Sequence, residues 1–203
     1  YHYPKKCEIW LSKNTTDRNL EIAEILGDMI NPVMAIQSMT EEVLKNIKRD
    51  NISFDAYYQY QRKYNSMGVT TDCDTIIPLP GETFQTHLAG IKKLFDLGVD
   101  EMKNNNMRML PGSELYSSEM RKKYNFKTKF RLIHGDSGYY KTPDGNEIKS
   151  FELEESLRST NTMSEEDVFK LREIHFLIEF TWNFQIYSDL LKLAKKFQIN
   201  QLA

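Results

Sequence analysis

The stretch Asp74–Phe84, DTIIPLPGETF, decides how this sequence folds. Its first half is an apolar run suited to a buried strand. Its second half cannot continue one, because Pro78 and Pro80 have no amide hydrogen to give a sheet ladder. Gly81 permits a positive φ or a close approach of backbone. Glu82 and Thr83 stand where a helix begins, and an acid there suits the helix dipole. The helix follows at once as TFQTHLAGIKKLFDLG, with Leu88, Ile91, Leu94 and Phe95 on one face and Gly98 to end it. The stretch reads as a rigid strand-to-helix joint that exposes backbone and can wall a flat aromatic ligand. A turn made only to reverse the chain would look the same.

Outward from this joint the same unit recurs. CEIWLS (7–12), VMAIQS (33–38), CDTIIPL (73–79) and NNMRML (105–110) read as strands. Between them, Thr15 or Thr16 caps DRNLEIAEILGDMI, which Asn31-Pro32 ends. Thr40 opens EEVLKNIKR, with Val43, Leu44 and Ile47 on one face. FDAYYQYQRKYNSMG is closed by Gly68, and its Tyr57, Tyr58, Tyr60 and Tyr64 cover a flank. Short strands apolar on both faces, alternating with amphipathic helices, imply an α/β fold with a parallel sheet under helices. An open doubly wound sheet and part of a (β/α) barrel both satisfy this pattern.

The sequence changes character near residue 116. TKFRLIHGDSGYYKTPDGNEIKSFELEES reads as strands joined by HGDSG and a PDG turn. NTMSEEDVFKLREIHFLIEFTWNFQIYSDLLKLAKKF then reads as one long helical region, with Ser164 and Asp167 at capping spacing. The expected division is therefore 1–115 for the β/α part and 116–203 for a small α+β C-terminal extension.

Composition excludes several classes. The chain has 203 residues, 40% hydrophobic and 28% charged, enough for one substantial core. A net charge of −2 gives no electrostatic case for nucleic-acid binding. Two cysteines, Cys7 and Cys73, form no disulfide framework and fit a reducing compartment, so a cytoplasmic location is expected. No apolar run approaches the ~20 residues of a membrane helix, so no membrane partner is expected. No signal peptide is visible. The chain opens at Tyr1 almost directly into strand-like sequence, and it is expected to be a piece of a longer protein.

Polar residues gather where ligands bind in such folds, at the carboxyl ends of the strands. Ser12, Lys13 and Asn14 follow the first, Gln37 and Ser38 end the second, PLPGET follows the third and PGSEL the fourth. Gln37 is the most telling, because a buried amide without partners costs about 1–3 kcal/mol. Arg49 ends the next helix, where a cation suits the dipole. His2, His87, His134 and His175 share no metal spacing; His87 sits within a crossover helix, and His175 reads as core or interface.

Taken in order, AIQSMTEEVLKNIKR, DTIIPLPGET and MRMLPGSEL resemble the radical S-adenosylmethionine (SAM) superfamily, in the branch that carries a cobalamin-binding domain. The resemblance covers about residues 5–115, as the later four β/α units of an incomplete, TIM-like (β/α) partial barrel. It implies a 4Fe–4S cluster that binds and cleaves SAM, and a 5′-deoxyadenosyl radical that abstracts hydrogen from substrate. By position, Gln37 would contact the SAM ribose with Ser38 beside it, and Arg49 the methionyl carboxylate, which suits the guanidinium fork. Ile76, Ile77 and Pro78 would pack near the adenine, and Met109 and Leu110 would offer backbone to its edge. Ser12, Lys13, Asn14 and Glu82 would line the rim facing substrate or SAM.

The departures are specific. There is no C-x-x-x-C-x-x-C, and Cys7 and Cys73 cannot replace it. The first two barrel strands, their glycine-rich motif and the cobalamin domain have no counterpart, and Pro78 replaces the first Gly of the usual GLPGET. The expected partner is thus the N-terminal half of the same protein, and the isolated chain is expected to be inactive. Two other readings compete: a non-catalytic interaction module derived from this fold, and an unrelated β/α-barrel enzyme using Lys13 or Glu82.

Overall fold

A computed structural model describes residues 3–7 and 14–199. The first expected strand, at 7–12, therefore lies outside the described residues except for Cys7, and so do Ser12 and Lys13. The remaining elements in chain order are α1 (Asp17–Leu26), α2 (Glu41–Asn46), α3 (Phe54–Ser66), β1 (Asp72–Ile77), α4 (Phe84–Leu97) and β2 (Glu101–Asn106). They are followed by α5 (Ser118–Lys123), β3 (Lys127–Lys141), β4 (Glu147–Ser159), α6 (Glu165–Ile178) and α7 (Ser188–Lys196).

The β/α part is held by parallel pairing. β1 pairs with β2 in register from Asp72↔Glu101 to Ile77↔Asn106. On the other edge of β1 runs the segment expected as the second strand. It is not a regular strand: it touches β1 through the parallel bridges Val33↔Asp72 and Gln37↔Thr75. Five residues on one side (33–37) match four on the other (72–75), because Ile36 N (3.2 Å) and Gln37 N (2.7 Å) both donate to Asp74 O. That is a bulge, and it kinks the run.

Alternation sorts the side chains of this sheet. Cys73 and Met102 face the helices and join Met34, Ile36, Tyr57, Tyr64, Ile91, Leu94 and Phe95 in the main core. Asp72, Asp74 and Ile76, with Glu101, Lys103 and Asn105 beside them, occupy the opposite face. β2 covers EMKNNN, whereas the sequence suggested NNMRML at 105–110. Its polar residues are tolerated because one face is open and its outer edge is covered. There Met102 N donates to Asn183 Oδ1 (3.0 Å) and Asn183 Nδ2 donates to Met102 O (2.9 Å), so a side-chain amide imitates a neighbouring strand.

The joint at 78–83 has the expected form. Gly81 sits at φ 85, and a Cβ there would fall 2.6 Å from Asn46 Nδ2. Thr83 caps α4 by accepting from Thr86 N at 3.1 Å. α1 is shorter than expected: Gly27 at φ 55 ends it at Leu26, and the remainder of the run, Gly27–Met29, is one 3-10 turn.

β3 and β4 form a long antiparallel ribbon closed by the PDG turn. HGDSG does not reverse the chain, as its composition suggested. It lies inside β3, between Leu132↔Leu153 and Ser137↔Phe151, as an irregularity containing Gly135 at φ 88. The ribbon joins the β/α part through residues 107–109. Met107 N donates to Ile77 O (2.7 Å), Leu157 N to Met107 O (3.0 Å) and Met109 N to Glu155 O (2.8 Å). α5 covers that junction, with Met120 and Tyr124 packed near Met109, Phe126 and Leu157.

The long C-terminal helix is broken. α6, capped as expected by Ser164 and Asp167, passes into a π-helical turn at Glu179–Asn183, and α7 starts again at Ser188. The break seats Trp182, which meets Phe95 edge-on at 4.9 Å and donates Nε1–H to Val99 O. α6 packs Val168 and Leu171 with Met163 onto Ile77.

Candidate functional site

The kink at 36–38 is the strained point of the sheet. Ser38 N donates to Ile36 O (2.9 Å), closing a three-residue turn with Gln37 at φ 65. A left-handed glutamine costs about 1–3 kcal/mol and persists only where its surroundings overdetermine it. Here they do. Asp74 O grips two amides, Ile76 N donates to Gln37 O (3.0 Å), and Asn51 Nδ2 donates to Ile36 O (2.9 Å). The half-buried Gln37 amide itself makes no hydrogen bond to any described residue.

Arg49 lies against the same turn. It donates Nη2–H to Ala35 O (2.6 Å) and Nε–H to Asn51 Oδ1 (2.7 Å). It is 6% exposed, yet among the described residues no carboxylate lies within ion-pair distance of it. Burial lowers its pKa, and only the field of Asp74 opposes that. A buried guanidinium with spare donors is an incomplete ion pair. Asn14, expected on the rim, braces the following loop, donating to Asp50 O (3.0 Å).

Ser38 and Glu82 are brought together but turned inward. Ser38 Oγ donates to Glu82 Oε1 (2.8 Å) and accepts from Thr40 N (3.1 Å). Of the three residues expected around adenine, Ile76 lies on the open face and Ile77 lies in the core under α6, while Pro78 is buried in the joint. Met109 is buried with its amide given to Glu155, whereas Leu110 is 61% exposed. The loop after β2 reaches back to this region, where Glu114 pairs with Lys48 at 2.7 Å.

Sequence reasoning missed Asn51 and the acids of the open face. Asn51 stands two residues after Arg49, a spacing that was available but not singled out. Asp72 pairs with Lys103 and faces Glu101 across the ladder. Burial and the neighbouring Asp72 carboxylate push Glu101 up to about 7. Burial also raises Asp74. Among the described residues, no group of His, Cys, Asp and Glu could hold a metal ion. Cys73 is fully buried, which pushes its thiol pKa far up, so it is no ready thiolate ligand.

No family model matches the chain. It is 27% identical over 164 residues to TokK, a cobalamin-dependent radical SAM methyltransferase of Streptomyces tokunonensis, covering 79% of this chain and 23% of that protein. It is also 27% identical over 169 residues to a 2-(S-pantetheinyl)-carbapenam-3-carboxylate methyltransferase of Streptantibioticus cattleyicolor, covering 81% of this chain and 24% of that one. The chain thus spans about a quarter of the length of the curated relatives it matches. Among solved structures, the radical SAM methyltransferase TsrM of Kitasatospora setae, with tryptophan and the SAM analog aza-SAM bound, gives a TM-score of 0.46 at 14% identity, over 64% of this chain and 25% of that one. The form with cobalamin and a 4Fe–4S cluster gives 0.45 at 14% identity, over 64% and 24%. Over about four-fifths of its length the chain is thus similar, at low identity, to a cobalamin-dependent radical SAM methyltransferase.

Proposed function

We propose that this chain is the part of a radical SAM enzyme that binds the adenosyl, ribose and carboxylate groups of SAM. In this reading residues 1–115 are the later β/α units of a partial barrel and 116–203 its C-terminal extension. One observation carries it: a strained Gln37 whose amide has no hydrogen bond among the described residues, beside a buried Arg49 that pairs with no described carboxylate. Arg49 would take the methionyl carboxylate and Gln37 the ribose hydroxyls. Ile76 and the exposed Leu110 would flank the adenine. Ser38 would support the turn, since its hydroxyl is committed to Glu82. SAM would supply the 5′-deoxyadenosyl group of the chemistry.

The cluster does not fit the residues present. Of the two cysteines one is sealed in the core, so the thiolates would come from elsewhere in the parent protein and the chain alone would be inactive. Cobalamin-dependent methyl transfer by the whole protein is the reaction its homologues suggest. The test is calorimetric titration of the chain with SAM. Hydrogen bonds to a charged group contribute about 1.5–3 kcal/mol, so Arg49→Ala should weaken binding about 10- to 100-fold. Gln37→Gly should weaken it while relieving the backbone. No SAM binding, or binding indifferent to both changes, refutes the reading.

A second reading, an interaction module, is favoured by the ribbon. Phe130, Leu132, Tyr139, Phe151 and Leu153 are each more than half exposed, with Leu132 directly opposite Leu153.

A further inference from the structure

Four polar side chains, each more than nine-tenths buried, cross the molecule in a line. Ser38, Glu82, His87 and His175 are 2%, 1%, 3% and 8% exposed. Ser38 Oγ donates to Glu82 Oε1 (2.8 Å). The same Oε1 lies 3.6 Å from His87 Nδ1, and His87 Nε2 lies 2.9 Å from His175 Nε2. The line starts at the strained turn, passes through the PLPGE joint and α4, and ends on α6. Thr162 of the β4–α6 loop ties the same residue down a second time, donating Oγ1–H to Glu82 O (2.7 Å).

The protons follow from the contacts. Two facing Nε2 atoms at hydrogen-bond distance need one N–H and one lone pair. Glu82 Oε1 faces the other nitrogen of His87. The tautomers that satisfy both ends are Nε2–H on His175, donating to His87 Nε2, and Nδ1–H on His87, directed at Glu82. The 3.6 Å step is longer than a good hydrogen bond, so that link is chiefly electrostatic. Glu82 Oε2 is buried without a partner. The carboxylate is therefore oriented through Oε1 alone, by Ser38 on one side and His87 on the other. A change at His175 is felt at His87, then at Glu82, then at the hydroxyl that supports the turn carrying Gln37.

We propose that Ser38, Glu82, His87 and His175 are positioning residues through which the seating of α6 sets the Gln37 turn, and so the affinity for SAM. This rests on the SAM-binding reading. None of the four needs to touch SAM.

The test uses the whole chain. Histidine ring correlation NMR gives the tautomers without SAM, and calorimetry gives the SAM Kd of variants shown to be folded. His175→Leu removes the donor at constant bulk, whereas His175→Gln keeps an N–H near the Nε2 position. His175→Leu should change the His87 tautomer signature and weaken SAM about tenfold, and His175→Gln should restore both. Ser38→Ala should weaken SAM, and adding His175→Leu should weaken it no further, as expected of residues on one path. Wild-type affinity in folded His175→Leu, or losses that multiply in the double variant, overturns the proposal. If His175→Leu does not fold, Ser38→Ala decides from the other end. Displaced ring signals of His87 and His175 support the chain, and unmoved signals overturn it. Wild type that binds no SAM sinks the SAM reading and, with it, the affinity claim. The Ser38→Ala spectra then still decide whether the four residues are coupled.

Discussion

Gly81→Ala separates the two reasons for a glycine in the joint. At φ 85 an alanine meets left-handed strain of about 1–2 kcal/mol. Its Cβ would also stand 2.6 Å from Asn46 Nδ2, the atom that donates to Pro80 O at 3.0 Å. Asn46 must swing away, and the lost hydrogen bond adds about 1 kcal/mol. The sum is about 2–3 kcal/mol, or roughly 5–10 °C in Tm for a chain of this size. Gly98→Ala is the control: φ is 74 but nothing lies within 4 Å of its Cβ, so only the strain applies. The assay is urea unfolding of Gly81→Ala, Gly98→Ala, Asn46→Ala and Gly81→Ala on the Asn46→Ala background. Once Asn46 is trimmed, Gly81→Ala should cost no more than Gly98→Ala. Equal losses for the two glycine variants with Asn46 present would refute the close-approach argument.

Burial, with His87 and Arg172 nearby, pushes His175 down to about 3, and Glu82 lies one residue further on, beyond His87. Between its ordinary 6.5 and that value only the unfolded chain binds the proton, so stability falls as pH falls, by at most about 1.4 kcal/mol per pH unit. His175→Gln should flatten that slope in urea melts from pH 7 to 5. Glu101 has the opposite sign: with its folded value raised to about 7, its contribution is present at acid pH and lost as pH rises through that value. Glu101→Gln should therefore stabilise the protein at pH 8 and not at pH 4. Asn183→Ala removes both bonds to Met102 and opens the edge of β2; a loss of about 2 kcal/mol and faster aggregation by light scattering are expected.

The helices were legible because their signals are local. Thr16, Thr83, Ser164 and Gly98 act within a few residues of where they stand. The prolines and Gly81 fixed the joint for the same reason. What escaped was decided by distant groups. VMAIQS reads as a plain buried strand, and nothing in it announces that Asp74 O will grip two amides and throw Gln37 to positive φ. EMKNNN reads poorly as a strand, since its covering edge is a side chain 81 residues away. HGDSG has the composition of a turn, but the pairing of β3 with β4 on both sides of it leaves it no freedom to reverse. His87 reads only as a residue of a crossover helix and His175 as core or interface, and their contact is invisible across a separation of 88 residues. The candidate site is read from residue types at strand ends, but which of those side chains turn inward, as Ser38 and Glu82 do, is not written there.

Residues 107–109 give their hydrogen bonds to both halves of the molecule, to Ile77 on one side and to Glu155 and Leu157 on the other. A protease nick in the exposed loop at 111–114 would cut the chain without parting the pieces, because the ladder there is made between strands and not along one. Amide exchange at Met107, Met109 and Leu157 would then be governed by a single opening event, and deuterium would enter all three together. Expressed up to residue 115 alone, the chain would leave the Met107 carbonyl and the Met109 amide facing water in a row, an adhesive end where the complete chain has a seam.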